Sequence, residues 1–175
     1  LVLLGLCESR TEAQELIDQG FVTVDGVITK KRARNVTSSS TIQLAKNRQY
    51  VSRGGYKLQG VMFDVFSSPQ VILEAMKGKS ALDVGSSTGG FTDFLLQHGA
   101  ASVYAVDVGT AQLHKKIRED ERVHSFENTN ILDFRADKQF DYIVGDLSFV
   151  PLENVFDTVV SFGKNGTKYF LLIKP

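Results

Sequence analysis

One stretch of sequence decides the fold, and it reads ALDVGSSTGGFT from Ala81 to Thr92. The pattern predicts an apolar strand that runs into an acid, then a glycine-rich turn, then an amphipathic helix. Glycine permits positive φ and lacks the Cβ that would keep a ligand away from the backbone. The stretch therefore indicates an α/β sheet that presents bare backbone to a nucleotide-like cofactor.

The spacing of the glycines indicates which cofactor. A dinucleotide fingerprint is G-x-G-x-x-G, whereas here Ser87 stands at the second glycine position. The carboxylate of Asp83 repels a pyrophosphate and attracts a cationic amino acid. S-adenosylmethionine carries an ammonium and a sulfonium and has no phosphate, so we expect it rather than a nicotinamide dinucleotide. The predicted cofactor contacts in this stretch are Asp83, Gly85, Ser86, Gly89, Gly90 and Phe91.

Composition and cysteine content bound the class of protein. Hydrophobic residues make up 42% of the 175 residues and charged residues 23%, which is ordinary for a soluble globular protein. No apolar run approaches the roughly 18 residues of a membrane helix. Cys7 is the only cysteine, and the first residues are too short an apolar stretch for a signal peptide, so we expect a cytoplasmic protein. The three histidines share no metal-ligand spacing, so no metal site is expected.

Charge is distributed unevenly along the chain. Residues 1–57 contain nine Lys/Arg and five Asp/Glu, while the remainder contains eleven Lys/Arg and fifteen Asp/Glu. A basic head on an acidic body suggests that the head meets a polyanion and the body holds something cationic. Chance clustering is the alternative.

Three segments are predicted: a small α+β head at 1–46, a linker at 47–53 and an α/β body at 54–175. In the head, Ser9 and Glu12 form a capping box before a helix that ends at Gly20, and Asp25-Gly26 predicts a hairpin turn. Each basic residue alone is more readily a solvated surface charge. Together, beside a hairpin, they favour contact with phosphate. The candidates are Arg10, Lys30, Lys31, Arg32 and Arg34.

The body alternates strands and helices, which predicts a parallel sheet covered on both faces. Ligands of such sheets bind at the carboxyl ends of the strands. The predicted strands are Ser80–Val84, Ser102–Asp107, Val123–Phe126, Phe140–Asp146 and Lys168–Lys174.

Polar residues are predicted at the ends of these strands. Asp107 is a candidate for the ribose hydroxyls, with a helix cap as its alternative. Asp133, after NTNIL, ends the third strand region and is a candidate for the adenine amino group, and a turn residue is nearly as good an interpretation. A lysine such as Lys174 at a strand tip can simply extend into solvent. It gains weight because Asp146 ends the neighbouring strand, so the two would lie side by side at the cofactor edge.

Two resemblances follow from these motifs. The order SRTEAQELIDQGFVTVDGVI resembles the S4 RNA-binding domain. The combination of SRGGYKL, DVGSSTGGFT, VDVG, DLSF and LLIKP resembles the RrmJ/FtsJ-type ribose 2′-O-methyltransferases. Together they resemble the TlyA family of S4-fused ribosomal RNA methyltransferases, often labelled hemolysins. This implies a Rossmann-like, S-adenosylmethionine-dependent methyltransferase sheet after a small S4 domain, with RNA as partner and a cytidine ribose as target.

The resemblance also implies site residues. The family uses a Lys-Asp-Lys-Glu tetrad, and its first three members match Lys57, Asp146 and Lys174. The glutamate is expected further along, with the last strands of the sheet, and has no counterpart before Pro175. We expect Lys174 to take the 2′-hydroxyl proton or stabilise the alkoxide, and Asp146 to hold that lysine. Lys57 would orient Asp146 and screen the RNA phosphate.

Three other functions compete with methyl transfer. The missing glutamate favours a non-catalytic RNA-binding or ribosome-assembly factor, whereas the three tetrad residues argue against it. A membrane-active hemolysin is suggested by the family's label but lacks a membrane-length segment. A nicotinamide dehydrogenase is disfavoured by Ser87 and Asp83.

Overall fold

The computed structural model describes residues 1–7, 9–18, 20–44, 49–147 and 151–172. The chain forms two compact units, Leu1–Gln49 and Tyr50–Pro175. The second unit thus begins at Tyr50, and residues 50–53, which sequence analysis assigned to a linker, lie within it.

The first unit is a small α+β domain. After a short 3-10 turn at Val2–Leu4, helix α1 spans Arg10–Asp18. The strands are β1 (Val22–Val24), β2 (Val27–Ile28) and β3 (Ile42–Leu44), in the antiparallel order β2-β1-β3. The Ser9 hydroxyl accepts a hydrogen bond from the Glu12 amide at 3.1 Å, as the predicted capping box requires.

The hairpin turn follows from its two residues. Asp25 and Gly26 have φ of 52° and 79°. A two-residue hairpin with a type I′ turn requires positive φ at both central positions. Asp25 also anchors β3. Its amide donates to the Thr41 carbonyl at 2.8 Å, and its carboxylate accepts from the Thr41 amide at 2.7 Å.

The second unit is a five-stranded parallel sheet with helices on both faces, which confirms the predicted α/β class. The strand order is β6-β5-β4-β7-β8, so β4, which precedes the glycine-rich turn, lies at the centre. The elements are α2 (Arg53–Phe66), α3 (Pro69–Met76), β4 (Ser80–Val84), α4 (Gly90–Gln97), β5 (Ser102–Val106), α5 (Lys115–Arg118), β6 (Val123–Phe126), β7 (Phe140–Gly145), α6 (Phe156–Ser161) and β8 (Gly163–Leu171).

Strand β8 starts five residues before the predicted Lys168. The run Gly163–Thr167 contains two glycines and an asparagine and looks like a turn, so the apolar pattern began only at Lys168. In the structure, Gly163 pairs with Phe140 and Lys168 pairs with Tyr142, with an irregularity between them. The irregularity absorbs the extra residues. The predicted end at Lys174 lies outside the described residues.

Each face of the sheet carries its own apolar core. One core joins the sheet to α2, α3 and α4 through Met62, Ile72 and Phe94, and the other contains Leu82, Ile143 and Val159. Because successive residues of a strand point to opposite faces, Leu82 and Val84 enter the second core, while Asp83 lies on the α4 face.

The second unit begins with a buried tyrosine. The Tyr50 side chain is 1% exposed, and its ring packs against Tyr56 and Phe94 at centroid distances of 5.0 and 5.7 Å. A Cβ on Gly55 would collide with that ring, so α2 requires glycine there. The Val51 amide then donates to the carboxylate of Asp93 in α4 at 2.8 Å. These contacts fix the start of α2 against α4.

Candidate functional site

The glycine-rich loop after β4 turns back towards the neighbouring strand ends. Gly85 has φ of 76°, and its amide donates to the Val106 carbonyl at 2.9 Å. A Cβ on Gly85 would lie 3.4 Å from both the Asp146 carbonyl oxygen and the Leu147 side chain. The loop therefore runs close to the end of β7 because residue 85 has no side chain.

The next two glycines serve helix packing. A Cβ on Gly89 would lie 3.0 Å from the Leu113 side chain, and one on Gly90 would lie 2.9 Å from the Gly55 amide nitrogen. Gly90 thus lets α2 and α4 approach backbone to backbone. These close approaches explain why two glycines occur together, and the predicted cofactor contacts of Gly89 and Gly90 stay predictions.

A cleft of about 210 Å³ lies at the carboxyl edge of the sheet. Of the residues predicted to contact a cofactor, Gly85 and Asp107 line it, and the predicted catalytic residue Asp146 borders it. Ser86, within the loop, is buried, and Phe91 lines a second cavity of about 190 Å³. The cleft lies where parallel sheets of this class bind ligands.

Asp107 joins two loops of the cleft. One of its carboxylate oxygens accepts from the Ser87 amide and the other from the Gly109 amide, each at 2.7 Å. A carboxylate oxygen can accept more than one hydrogen bond, so Asp107 retains capacity for a ligand hydroxyl. The residue predicted to hold the ribose therefore lines the cleft and shapes it.

Asp83 lies under the loop and is 1% exposed. Its Oδ2 accepts from the Thr92 hydroxyl at 2.6 Å, and its Oδ1 has no hydrogen-bond partner among the described residues. Desolvation raises the pKa of Asp83 to about 7, the Thr92 donors oppose this, and the charges of Asp107 and Asp146 add to it. A buried, unpartnered oxygen of this kind fits a cationic group better than a phosphate, which agrees with the chemistry of S-adenosylmethionine.

Lys57 and Asp146 form an ion pair beside the cleft. Lys57 lies in the second turn of α2, Asp146 follows the last residue of β7, and Lys57 Nζ is 2.9 Å from Asp146 Oδ2. The side chains are 46% and 21% exposed. Lys57 also lines the second cavity, together with Phe91. The pair thus lies between the cleft and the second cavity, within reach of a bound molecule.

Asp133 does not end a strand. Strand β6 stops at Phe126, and Asp133 lies seven residues further on, exposed in a turn. The prediction of a strand end there was wrong because the apolar Ile131 and Leu132 imitated one. The cleft is lined by Thr129, Asn130 and Ile131 instead. The polar run that directly follows β6 was the available signal, since it stands at the carboxyl edge.

The remaining predicted residues lie elsewhere. Lys174 falls outside the described residues. In the first unit, Arg10, Lys30 and Lys31 are exposed, and Arg34 is half-buried. Arg32 forms a two-bond pair with Asp18 at the end of α1, with Arg32 Nε 2.9 Å from Asp18 Oδ1. Arg32 therefore has an internal partner, which the sequence did not reveal.

Known families match both units. The model of FtsJ-like methyltransferases matches residues 50–175, and the model of S4 domains matches residues 1–42. The chain belongs to the FtsJ-like methyltransferase family. It also carries an S4 domain, as predicted.

Family relatives align along nearly the whole chain. It is 38% identical to "Hemolysin A" of Brachyspira hyodysenteriae over 98% of its length and 70% of the relative. It is also 38% identical to the "16S/23S rRNA (cytidine-2'-O)-methyltransferase TlyA" of Mycobacterium tuberculosis, over 100% of the chain and 65% of the relative. A solved structure that carries a hemolysin name, from Streptococcus thermophilus, matches with a TM-score of 0.68 and 34% identity, over 97% of the chain and 62% of its own length. The chain thus spans about two thirds of the length of these family members.

The described residues also contain no helix that is long and apolar enough to cross a membrane. Within the same residues, no group of three or more His, Cys, Asp or Glu side chains could hold a metal ion.

Proposed function

We propose that this chain binds S-adenosylmethionine and takes part in 2′-O-methylation of a cytidine ribose in ribosomal RNA. The observation that carries the proposal is the Lys57–Asp146 pair beside a cleft at the carboxyl edge of the sheet. The name of the M. tuberculosis relative supports the reaction and the target nucleoside.

The cleft residues suit the proposed cofactor. S-adenosylmethionine supplies a methyl group that the sulfonium already activates. Asp107 would hold its ribose hydroxyls, Gly85 would let it approach the backbone, and the buried Asp83 would attract its ammonium. The other predicted cofactor contacts do not line the cleft and stay in the proposal as less direct ones: Asp83, Ser86, Gly89, Gly90, Phe91 and Asp133.

The chain's own residues would handle the proton of the ribose. A 2′-hydroxyl is a poor nucleophile because its pKa lies far above neutrality, so a positioned base is needed. Lys57 holds the Asp146 carboxylate in place at 2.9 Å. Asp146 would in turn orient Lys174, which would contact the 2′-oxygen. A positioned base of this kind is typically worth about 10² to 10⁴ in rate.

The first unit would bind the RNA. Its S4 domain carries Arg10, Lys30, Lys31 and Arg34 as candidate phosphate contacts, while Arg32 would support the basic loop through Asp18. Ribosomal RNA as the substrate implies a protein that works in the cytoplasm beside the ribosome.

Calorimetry tests the cofactor. S-adenosylmethionine and NAD⁺ are titrated separately into the purified chain, and we expect heat of binding from the first only. Binding of NAD⁺ alone would overturn the proposal and revive the dehydrogenase.

Methyl transfer tests the reaction. The full-length protein is incubated with ribosomal subunits and S-adenosylmethionine carrying a labelled methyl group, and the RNA is digested to nucleosides. We expect label in 2′-O-methylcytidine. Binding of both cofactor and RNA without transfer would favour the assembly factor, and leakage of lipid vesicles without transfer would favour the hemolysin.

A further inference from the structure

Two loops that form one side of the cleft are joined beyond the ends of their strands. The β5 loop (residues 107–112) follows β5, and the β6 loop (residues 127–131) follows β6. The Asn128 amide donates to the Gly109 carbonyl at 3.1 Å, and the Thr129 amide donates to the Asp107 carbonyl at 2.9 Å. Both loops line the cleft, so the shape of this side depends on how firmly they are held together.

Side chains add two further links. Glu127 Oε2 accepts a hydrogen bond from the Ala111 amide at 2.9 Å, and the Thr110 hydroxyl donates to Asn128 Oδ1 at 2.5 Å. Glu127 does not line the cleft itself. Any effect of Glu127 on a ligand is therefore indirect, through the loops that it joins.

The β5 loop adopts an unfavourable backbone conformation where Glu127 holds it. Ala111 has φ of 50°, and Asn128 opposite has φ of 52°. Asparagine tolerates this left-handed region, whereas alanine pays for its Cβ there and keeps the conformation only where its surroundings impose it. The hydrogen bond from the Ala111 amide to Glu127 is made by the very residue that has this conformation.

The second oxygen of the Glu127 carboxylate lacks a hydrogen-bond donor in the described part of the chain. Its Oε1 is buried and has no hydrogen-bond partner among the described residues. A buried acceptor without a donor opposes folding, so this carboxylate is poorly explained by stability alone. Glutamine would keep an acceptor for the Ala111 amide and replace the unpartnered oxygen, so it separates the hydrogen bond from the charge.

We propose that Glu127 is a positioning residue that holds the β5 loop in its ligand-binding shape and thereby sets the affinity for S-adenosylmethionine. The inference rests on the proposed function for the identity of the ligand. Gly109 supports it, because a Cβ there would collide with the Gln112 side chain, which shows how tightly the loop is folded.

The first test measures affinity. S-adenosylmethionine is titrated calorimetrically into the chain and its variants. We expect Glu127→Ala to raise Kd about tenfold, equivalent to about 1.4 kcal/mol, and Glu127→Gln to stay within about threefold of the parent. Glu121→Ala, an exposed acid just before β6, is the matched control and should leave Kd unchanged. Equal affinities for Glu127→Ala and the parent, or the same loss in Glu121→Ala, would overturn the inference.

The second test needs no cofactor and separates the inference from the proposed function. Hydrogen exchange at the Ala111 amide should speed up in Glu127→Ala and remain slow in Glu127→Gln, while thermal unfolding confirms that each variant is folded. Unchanged exchange in a folded Glu127→Ala contradicts the positioning role whatever the ligand is. If the parent chain fails to bind S-adenosylmethionine, the proposed cofactor is wrong, and the exchange result still decides whether Glu127 holds the loop. In the full-length enzyme, Glu127→Ala should raise KM for the cofactor and preserve kcat.

Discussion

The two edges of the parallel sheet treat the same kind of residue in opposite ways. At the amino edge, Asp141 in β7 accepts hydrogen bonds from the Ser80 amide and hydroxyl at 3.0 and 3.1 Å and pairs with Lys164 at 2.8 Å. Lys79 approaches to 3.7 Å. Desolvation by burial raises the pKa of Asp141, but the hydrogen bonds from Lys164 and Ser80 outweigh it and lower this pKa to about 2. This acid is fully partnered.

At the carboxyl edge, acids outnumber the cations that form ion pairs with them among the described residues. Asp83, Asp107 and Asp146 lie together, and within the described ranges only Lys57 pairs with any of them. Burial raises the pKa of Asp83 to about 7, the reverse of the shift at Asp141. The comparison separates an acid that stabilises the fold from acids that we propose as contacts of a ligand. Among these, Asp83 keeps a buried oxygen without a hydrogen-bond partner among the described residues, as groups at ligand sites often do.

The largest effect is expected from the acid that borders the cleft. Asp146→Asn should lower the rate of methyl transfer by about 10² to 10⁴, because an amide no longer carries the charge that Lys57 pairs with. Initial rates with labelled S-adenosylmethionine measure this in the full-length enzyme.

Asp157→Asn, on the exposed surface of α6, is the matched control and should retain the parent rate. An equal rate for Asp146→Asn and the control would place Asp146 outside the reaction and remove the contrast between the two edges.

The next effect concerns Asp83. Its folded-state pKa lies about three units above that of an unfolded aspartate, so the folded state binds more protons between about pH 4 and pH 7. The contribution of Asp83 to stability is therefore greatest below pH 4 and falls as the pH rises to 7, by up to about 4 kcal/mol at 1.36 kcal/mol per unit. Asp83→Asn should remove this slope and raise the free energy of unfolding at pH 8.

Urea unfolding at pH 4 and pH 8 measures the change, and calorimetry should show weaker binding of S-adenosylmethionine by the same variant. A variant that unfolds more easily at pH 8 would mean that the Asp83 carboxylate is stabilising, like that of Asp141.

Asp141 should respond with the opposite sign. Its folded-state pKa is depressed, so its contribution is present above about pH 4 and is lost as the pH falls towards 2. Asp141→Asn should destabilise the protein by about 1–2 kcal/mol at pH 7, a figure reduced for the solvent that reaches this edge. Urea unfolding should show the difference between parent and variant shrinking between pH 4 and pH 2, with methyl transfer unaffected at pH 7. A difference that persists at pH 2 would contradict an electrostatic origin.

The smallest effects are expected from the lysines that pair with the acids at the two edges. Lys164→Ala should cost about 0.5–1 kcal/mol of stability, since its side chain is 43% exposed and Lys79 remains beside Asp141. Lys57→Ala should leave the unfolding free energy nearly unchanged and lower methyl transfer instead. Thermal unfolding and methyl-transfer rates are measured on both variants, so that each variant serves as the control for the other. Loss of activity in Lys164→Ala at full stability would break the distinction between the edges.

The central part of the sheet was predictable because local pattern and tertiary role agree there. Strands β4 and β6 have the bounds that their apolar runs predict, and the glycine-rich turn lies at the carboxyl edge. The adjacency of β7 and β8 was also predicted correctly. The predicted start of β8 was wrong, because residues 163–167 join the sheet by pairing with β7. Their local sequence does not favour a strand.

The candidate site was predictable where a strand ends and less so where loops fold over it. Asp107 and Asp146 could be chosen because each follows an apolar strand. Asn130 was missed because the apolar Ile131 and Leu132 drew attention to Asp133, whereas the polar run directly after β6 was the better signal. The burial of Asp83 also escaped prediction, since it depends on the packing of Thr92 in α4.

The packing of Tyr50 against Gly55 and Phe94 determines where the first unit of the chain can be replaced by that of a relative. A chimaera that takes its first unit from another family member should be joined before Tyr50, because a junction after Tyr50 would remove a buried aromatic side chain from the interior of the second unit.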